Sequence, residues 1–470
     1  MNVLLIHPPD RHLIRTNVPA FVDEETGCYP PIGLLYVAAA MLEQKAHQVT
    51  ILDAKAEGLD EEAVGERIRA VRPDLIGIQT LTFSLRDSLG MARAAKAVSC
   101  DIKVVLGGPH TWIFPDETIA FDEVDFLVMG EGEQTFVKLV NTLDRGGTLR
   151  EIAGLVFKDK GQVVKTPQRP LITDLDALPY PPREMLKINR YRTVLAKHSP
   201  ITTMITTRGC PYRCIFCDRP HLGKKFRARS PESVIGEMEE CKRLGIGEIF
   251  MYDDTFTIDR ARVLAICDLI RRRKLDIGWD IRAHLNTVDE EMLRQLRRAG
   301  CIRIHYGVES GNPDILKVLQ KDLDLARVKE IFSFTRKLGI QTLGYFMIGN
   351  PTETIEQINE TIQFAKALDA DFVHFSVTTP FPATQLYRLG LERGILARDY
   401  WREYARNPSP EFVPPLWEEN LKQQQLHELL SKAYRAFYFR PQYLLRQTLS
   451  VRSPGEFLRK AKVGLRMLKV

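Results

Sequence analysis

Two successive runs of short β-rich segments alternating with helical patterns, parted by a proline-rich stretch, leave few architectures open to this sequence. In the first run the β-rich segments fall at 3–6, 49–52, 75–79, 104–106 and 126–129, with helical patterns at 32–42, 61–71 and 85–98 between them. Such alternation builds a parallel sheet covered by helices on both faces. It predicts an α/β fold that begins with a doubly wound, Rossmann-like domain over 1–145, whose ligands sit beyond the carboxyl ends of its strands. Those ends hold Asp53, Thr80 to Thr82, Gly107-Gly108 and Gly130 to Glu133.

From 146 to 198 the pattern loosens, and Leu178-Pro179-Tyr180-Pro181-Pro182 reads as part of a linker with little core of its own. The second run places β-rich segments at 201–206, 248–252, 280–284, 303–308, 342–348 and 372–377. Six βα units predict an open, partial TIM-like barrel over 199–385, again with its site at the carboxyl ends. The remainder, 386–470, reads as helical, and Leu426, Leu429, Leu430, Ala433, Tyr434 and Phe437 recur on one helical face.

With 470 residues, two or more cores are expected, and 44% apolar with 27% charged residues argues against disorder. No run approaches the roughly 18 to 20 apolar residues of a spanning helix. The opening MNVLLIHPPD lacks a basic region before its apolar run, unlike a secretory signal, so a cytoplasmic location is expected. Eight cysteines in a chain this long are no disulfide framework, and three of them crowd together at Cys210, Cys214 and Cys217.

That crowd, Arg208-Gly209-Cys210-Pro211-Tyr212-Arg213-Cys214-Ile215-Phe216-Cys217, follows the first strand of the second run. Zinc sites favour paired knuckles with four ligands, and neither a second pair nor a suitably spaced histidine pair is present. Thiolates also suit iron-sulfur clusters, whose cubes normally take four of them; three leave one iron open. In this respect the segment resembles the radical SAM superfamily. The resemblance implies a [4Fe-4S] cluster on the three cysteines and S-adenosylmethionine (SAM) on the open iron.

The likeness runs from Ile201 to Thr379 and implies further contacts with SAM. Phe216 stands where family members place an aromatic beside the adenine. Asp253 and Asp254 resemble the acidic loop that receives the SAM amine, and Arg282 suits its carboxylate. Glu309 and Ser310 look like ribose and carboxylate contacts. Ile348 and Gly349, in a stretch from Gly344 that continues through Pro351 and Glu353, resemble the adenine-lining motif of the fifth strand.

A doubly wound domain ahead of such a barrel resembles the cobalamin-binding subfamily, which implies a bound corrinoid. The matching features are Tyr29 to Leu34 at the first helix, Asp53 after the second strand with Lys55 and Gly58 in the same stretch at the pattern's histidine and glycine positions, Thr80 and Thr82 after the third, Gly107 and Gly108 after the fourth, and Gly130 and Gly132 after the fifth. Many cobalamin domains carry Asp-x-His-x-x-Gly, whose histidine coordinates cobalt; here the stretch is Asp53-Ala54-Lys55-Ala56-Glu57-Gly58. A lysine with a reference pKa of about 10.4 has no lone pair to give, so cobalt is expected without a histidine from this motif. The methylthiotransferases also precede the barrel with an α/β domain, but theirs carries three cysteines for a second cluster, whereas this one offers only Cys28 and Cys100.

The net charge of +6 is small, yet the end of the chain is basic: Arg440, Arg446, Arg452, Arg459, Lys460, Lys462, Arg466 and Lys469 against Glu456. Such a helix can lie peripherally on an anionic membrane. No nucleic-acid recognition motif interleaves these cations. The resemblance thus implies a cobalamin-dependent radical SAM methyltransferase acting on an unactivated carbon of a small or lipid-like substrate. Its reducing electron is expected from an external donor such as flavodoxin or ferredoxin. An oxidative cyclase or rearrangement enzyme with the same cofactors, and a non-catalytic corrinoid or redox sensor, are the alternatives.

Overall fold

The computed structural model describes residues 1–15, 27–218 and 223–449. Its first sheet has seven strands: β1 (Asn2–His7), β2 (Gln48–Asp53), β3 (Leu75–Gln79), β4 (Lys103–Gly107), β5 (Phe126–Val128), β6 (Leu155–Asp159) and β7 (Gln162–Lys165). They run in the order β2-β1-β3-β4-β5-β6-β7, the first five parallel. β1 is buried on both faces, with Val3 and Leu5 packed on one side and Leu4 and Ile6 on the other. This is why its sequence is a continuous apolar run rather than an alternation. The order reverses at β1, and the crevice at such a switch point is where doubly wound sheets take ligands.

One expectation needs correction. The antiparallel pair β6–β7 pairs with β5 and extends the first sheet, so residues 155–165 of the stretch read as linker belong to that sheet. Lys160 and Gly161, both at positive φ (48° and 80°), make the tight connection whose twist suits a two-residue hairpin.

The second sheet comprises β8 (Ile201–Met204), β11 (Glu248–Met251), β12 (Gly278–Ala283), β13 (Cys301–Glu309), β14 (Gln341–Ile348) and β15 (Phe372–Val377), all parallel and in chain order. β8 and β15 do not pair, so the expected partial barrel is open. Between β8 and β11 lies a two-stranded antiparallel ribbon, β9 (Thr207–Arg208) with β10 (Arg227–Ala228). The three cysteines lie on the loop that this ribbon encloses.

The helices after the barrel divide their packing. Helix Tyr400–Arg406 returns to the first domain, where Trp401 meets Phe83 at 5.8 Å between ring centroids. Helix Gln423–Tyr438 covers β15 and places Leu426, Leu429, Leu430, Ala433, Tyr434 and Phe437 in the barrel's core, the face expected from their spacing. No helix among the described residues is long and apolar enough to cross a membrane. The basic tail, including Arg452, Arg459, Lys460, Lys462, Arg466 and Lys469, lies outside the described residues.

Candidate active site between the two sheets

The carboxyl ends of the first sheet face the start of the cysteine loop across a shared cavity. Its atom-free volume is about 1340 Å³ with the mouth included. The first domain contributes Leu5, Gly77, Gln79, Gly107, Gly108, Gly130 and Gly132, together with residues of helix Ile32–Glu43; the barrel contributes Ile205, Thr207, Arg208, Tyr252 and Asp254. Gly77 forms its wall by necessity, because a Cβ there would stand 2.8 Å from Leu5 and 2.9 Å from Phe136. Two buried acceptors on this lining have no hydrogen-bond partner among the described residues, Gln79 Oε1 and Glu133 Oε2. Buried acceptors normally have donors, and a corrinoid, whose rim carries primary amides, brings them. The cavity therefore fits the group the first domain's pattern implies.

The structure divides the first-domain candidates. Gly107, Gly108, Gly130 and Gly132 line the cavity, while Thr80 and Thr82 are buried behind it, Thr82 bonded to His110 Nδ1 at 3.0 Å. Burial depresses His110 to a pKa of about 3, so its ring is neutral. Asp53, Lys55 and Gly58 are not part of that lining. Asp53 accepts from His7 (2.8 Å), Ala56 N (2.9 Å) and Tyr191 OH (2.7 Å) and borders a separate pocket whose atom-free volume is about 650 Å³. The Lys55 ammonium pairs with Asp10 at 3.3 Å, and Gly58 ends a helical turn at φ 69°.

In the barrel, Cys210 is half-buried, Cys214 buried and Cys217 exposed, and none is in a disulfide. Among the described residues no three His, Cys, Asp or Glu side chains converge on a single-ion site. Three thiols on one loop match a cube held by three cysteines, with one iron left open. Cys210 Sγ is 3.9 Å from Thr255 Oγ1 at the end of the second barrel strand. Tyr212, between the first two cysteines, stacks on His284 at 3.8 Å with planes 9° apart, which fixes the loop over the third strand.

Asp253 differs from the expectation. It is wholly buried, and its carboxylate accepts from Thr206 N (2.6 Å), Thr206 Oγ1 (2.5 Å) and Thr207 N (3.0 Å). It holds the strand that leads into the cysteine loop, and burial raises its pKa. Asp254 instead lines the cavity. Arg282 is exposed and lies 4.7 Å over the Tyr252 ring, which leaves its guanidinium fork free of any ion pair among the described residues.

Glu309, at φ 68°, pairs with Lys321 at 2.6 Å, and that ammonium lies 6.0 Å from the Phe216 ring. Ser310 is buried against Thr361 at 3.1 Å. Ile348 is buried, and Gly349, at φ 74°, sits where a Cβ would meet Leu426 at 2.6 Å. Inside the barrel a hydrogen-bonded file runs from Tyr345 OH to His305 Nδ1 (3.0 Å) and from His305 Nε2 to Asp280 (3.2 Å). Gln79 and Arg227 emerge beside the site only in three dimensions, whereas Glu131 and Glu133 stand in the glycine-bearing end of the fifth strand and Arg208 two residues before the first cysteine.

Fold and site together describe a two-domain enzyme whose sheets present their carboxyl ends to one another. The B12 binding domain family matches residues 20–140, and the radical SAM superfamily matches 204–365. An uncharacterized methyltransferase of Pyrococcus horikoshii is 35% identical over 95% of this chain and 94% of its own. An anaerobic magnesium-protoporphyrin IX monomethyl ester cyclase of Rubrivivax gelatinosus is 29% identical over 83% of this chain and 70% of its own. Among solved structures, the radical S-adenosylmethionine methyltransferase TsrM of Kitasatospora setae, with cobalamin and a [4Fe-4S] cluster bound, superposes with a TM-score of 0.73. It is 20% identical and covers 94% of this chain and 89% of its own. The chain belongs to the B12-binding radical SAM family.

Proposed function

We propose that this chain is a cobalamin-dependent radical SAM methyltransferase that methylates an unactivated carbon of a small or lipid-like molecule, with Cys210, Cys214 and Cys217 as cluster ligands. The observation that carries the reading is the shared cavity, to which the first sheet's glycine-lined ends and the barrel's Thr207, Arg208, Tyr252 and Asp254 both contribute. Methyl transfer from a corrinoid to a carbon radical needs both centres within reach of one substrate, and a cleft between domains supplies that proximity. When bound, the cluster supplies the electron that cleaves SAM, and the corrinoid supplies the methyl group.

The chain's own residues bind and orient. Arg282 offers a fork to the SAM carboxylate, and Asp254 and the Glu309–Lys321 pair stand at neighbouring strand ends to hold its polar groups. The glycines leave the first sheet's mouth free of side chains. Tyr29 reaches from the first domain onto Phe250 and Tyr252, at 5.4 and 5.7 Å, and packs the first domain against the barrel. An external one-electron donor is required to reduce the cluster.

Anaerobic reconstitution followed by iron, sulfide and cobalt analysis tests both cofactors. Formation of 5′-deoxyadenosine tests turnover. The Rubrivivax gelatinosus cyclase supports a second reading, oxidative cyclisation without methylation. Product mass separates the two, because only transfer adds a methylene.

A further inference from the structure

The ribbon β9–β10 sets Arg208 opposite Arg227 and closes the base of the loop carrying the three cysteines. Gly209 crosses this base at φ 85°, where a Cβ would stand 2.4 Å from the Lys225 carbonyl. Both arginines leave the barrel and end on the first domain. Arg208 donates from Nη1 to Glu131 (2.8 Å) and from Nη2 to Glu133 (2.6 Å), and Arg227 donates from Nη1 to Glu131 (2.8 Å). The four side chains are between 3% and 7% exposed, so their charges balance where salt screens little. Both glutamates open helix Gly132–Arg145, whose N-terminus favours carboxylates.

Glu133 occupies a position no other member of this cluster shares. Its Oε1 is taken by Arg208, while its Oε2 is buried, lacks a hydrogen-bond partner among the described residues and belongs to a residue that lines the cavity. We infer that Glu133 couples the corrinoid cavity to the cysteine loop: an amide N–H or hydroxyl of the bound corrinoid donates to Oε2, and Oε1 holds Arg208 at the loop's base. This rests on the cobalamin reading above and gives that site a regulatory consequence. Coupling of two binding sites is reciprocal, so filling the cavity orders the loop and loading the loop tightens the cavity by the same factor. Gln79 supplies an internal control, since its Oε1 is equally buried and unpartnered on the same lining but is bonded to neither arginine.

The test uses full-length protein prepared anaerobically with and without its reconstituted cluster, and hydroxocobalamin as the probe. Quenching of tryptophan emission reports binding, because the Trp112 ring lies 3.7 Å from where a Gly130 Cβ would be. Cluster loading is expected to tighten hydroxocobalamin by about fivefold or more. In cluster-free protein, adding hydroxocobalamin is expected to slow amide exchange across 209–218. Glu133→Gln, which keeps shape, and Arg208→Lys, which keeps charge, should bring the ratio of affinities close to one. Gln79→Met should weaken both forms equally and leave the ratio intact. A wild-type ratio near one, or an unchanged ratio in Glu133→Gln, overturns the coupling while leaving the cobalamin reading in place. Failure of hydroxocobalamin to bind either form removes that reading, and the coupling with it.

Discussion

The Tyr434 hydroxyl donates to the Phe375 carbonyl at 2.9 Å and accepts the Phe375 amide at 3.2 Å. Tyr438 repeats this one helical turn later on Val373, at 2.7 and 3.0 Å. A rise of about 6 Å over four helical residues nearly matches about 6.7 Å over two strand residues, so the two hydroxyls fall in register with alternate peptide units. They pair the free edge of β15, the side on which the barrel is open, and an unpaired edge invites association with other strands. Tyr434→Phe is expected to cost about 1–3 kcal/mol, read as a lower urea midpoint. The double substitution with Tyr438→Phe should also promote aggregation, read by light scattering.

Single Cys210→Ala, Cys214→Ala and Cys217→Ala variants should each lose the cluster while retaining hydroxocobalamin. Iron and sulfide analysis beside cobalt analysis reads both at once. Iron retained at the wild-type level in any one of them would remove that residue from the ligand set.

Arg282 is an exposed guanidinium resting on Tyr252. If it receives the SAM carboxylate, Arg282→Lys should weaken SAM about tenfold, because a point charge replaces a two-pronged donor, and Arg282→Ala roughly a hundredfold. Equilibrium dialysis with reconstituted protein measures this. Equal affinity in all three proteins would place the carboxylate elsewhere.

Glu353 is 1% exposed, and burial raises its pKa from 4.5 to about 7 against hydrogen bonds from the Asn350 amide and side chain. The folded state therefore keeps a proton that the unfolded chain has lost, so stability declines as pH rises from 4.5 to about 7 and stays reduced above. Glu353→Gln should abolish that slope and be the more stable protein at pH 8, by up to about 3 kcal/mol. Thermal melts across this range test it; parallel curves for the two proteins would refute the assignment.

His110, His284 and His374 carry the opposite sign. Burial lowers them from 6.5 to about 3, 3 and 4, so the unfolded chain takes up protons that the folded one refuses. Their stabilising contribution is complete above pH 6.5 and is lost as pH falls toward 4 and 3. A melting temperature that drops steeply with acid below pH 6.5, less so in His374→Gln, is the expected result.

The cysteine triplet and the strand rhythm were readable because each is local: a spacing, or a period. The hairpin β6–β7 is masked in the sequence although Lys160-Gly161 marks its turn, because its strands are short and the nearby prolines dominate the composition. Asp253 was assigned outward from its motif, yet the backbone of Thr206 and Thr207 claims it, and which acceptor a buried amide will find cannot be read from spacing. Asp53 and Lys55 follow a strand and stand in the stretch that resembles Asp-x-His-x-x-Gly, which points to the cofactor. The structure turns them instead toward Tyr191 and Asp10. Tyr434 read as one more apolar residue, since the use of its hydroxyl depends on a strand 59 residues away.

The pairing of Arg208 and Arg227 with Glu131 and Glu133 bears on how such chains can be recombined. Stranding one side of a buried ion pair costs about 3–5 kcal/mol, a large part of a typical domain's stability. Neither half is thus a freely exchangeable module: a first domain grafted from another protein must bring its own acidic pair in the same place, or the barrel receives two homeless cations at the root of its cysteine loop.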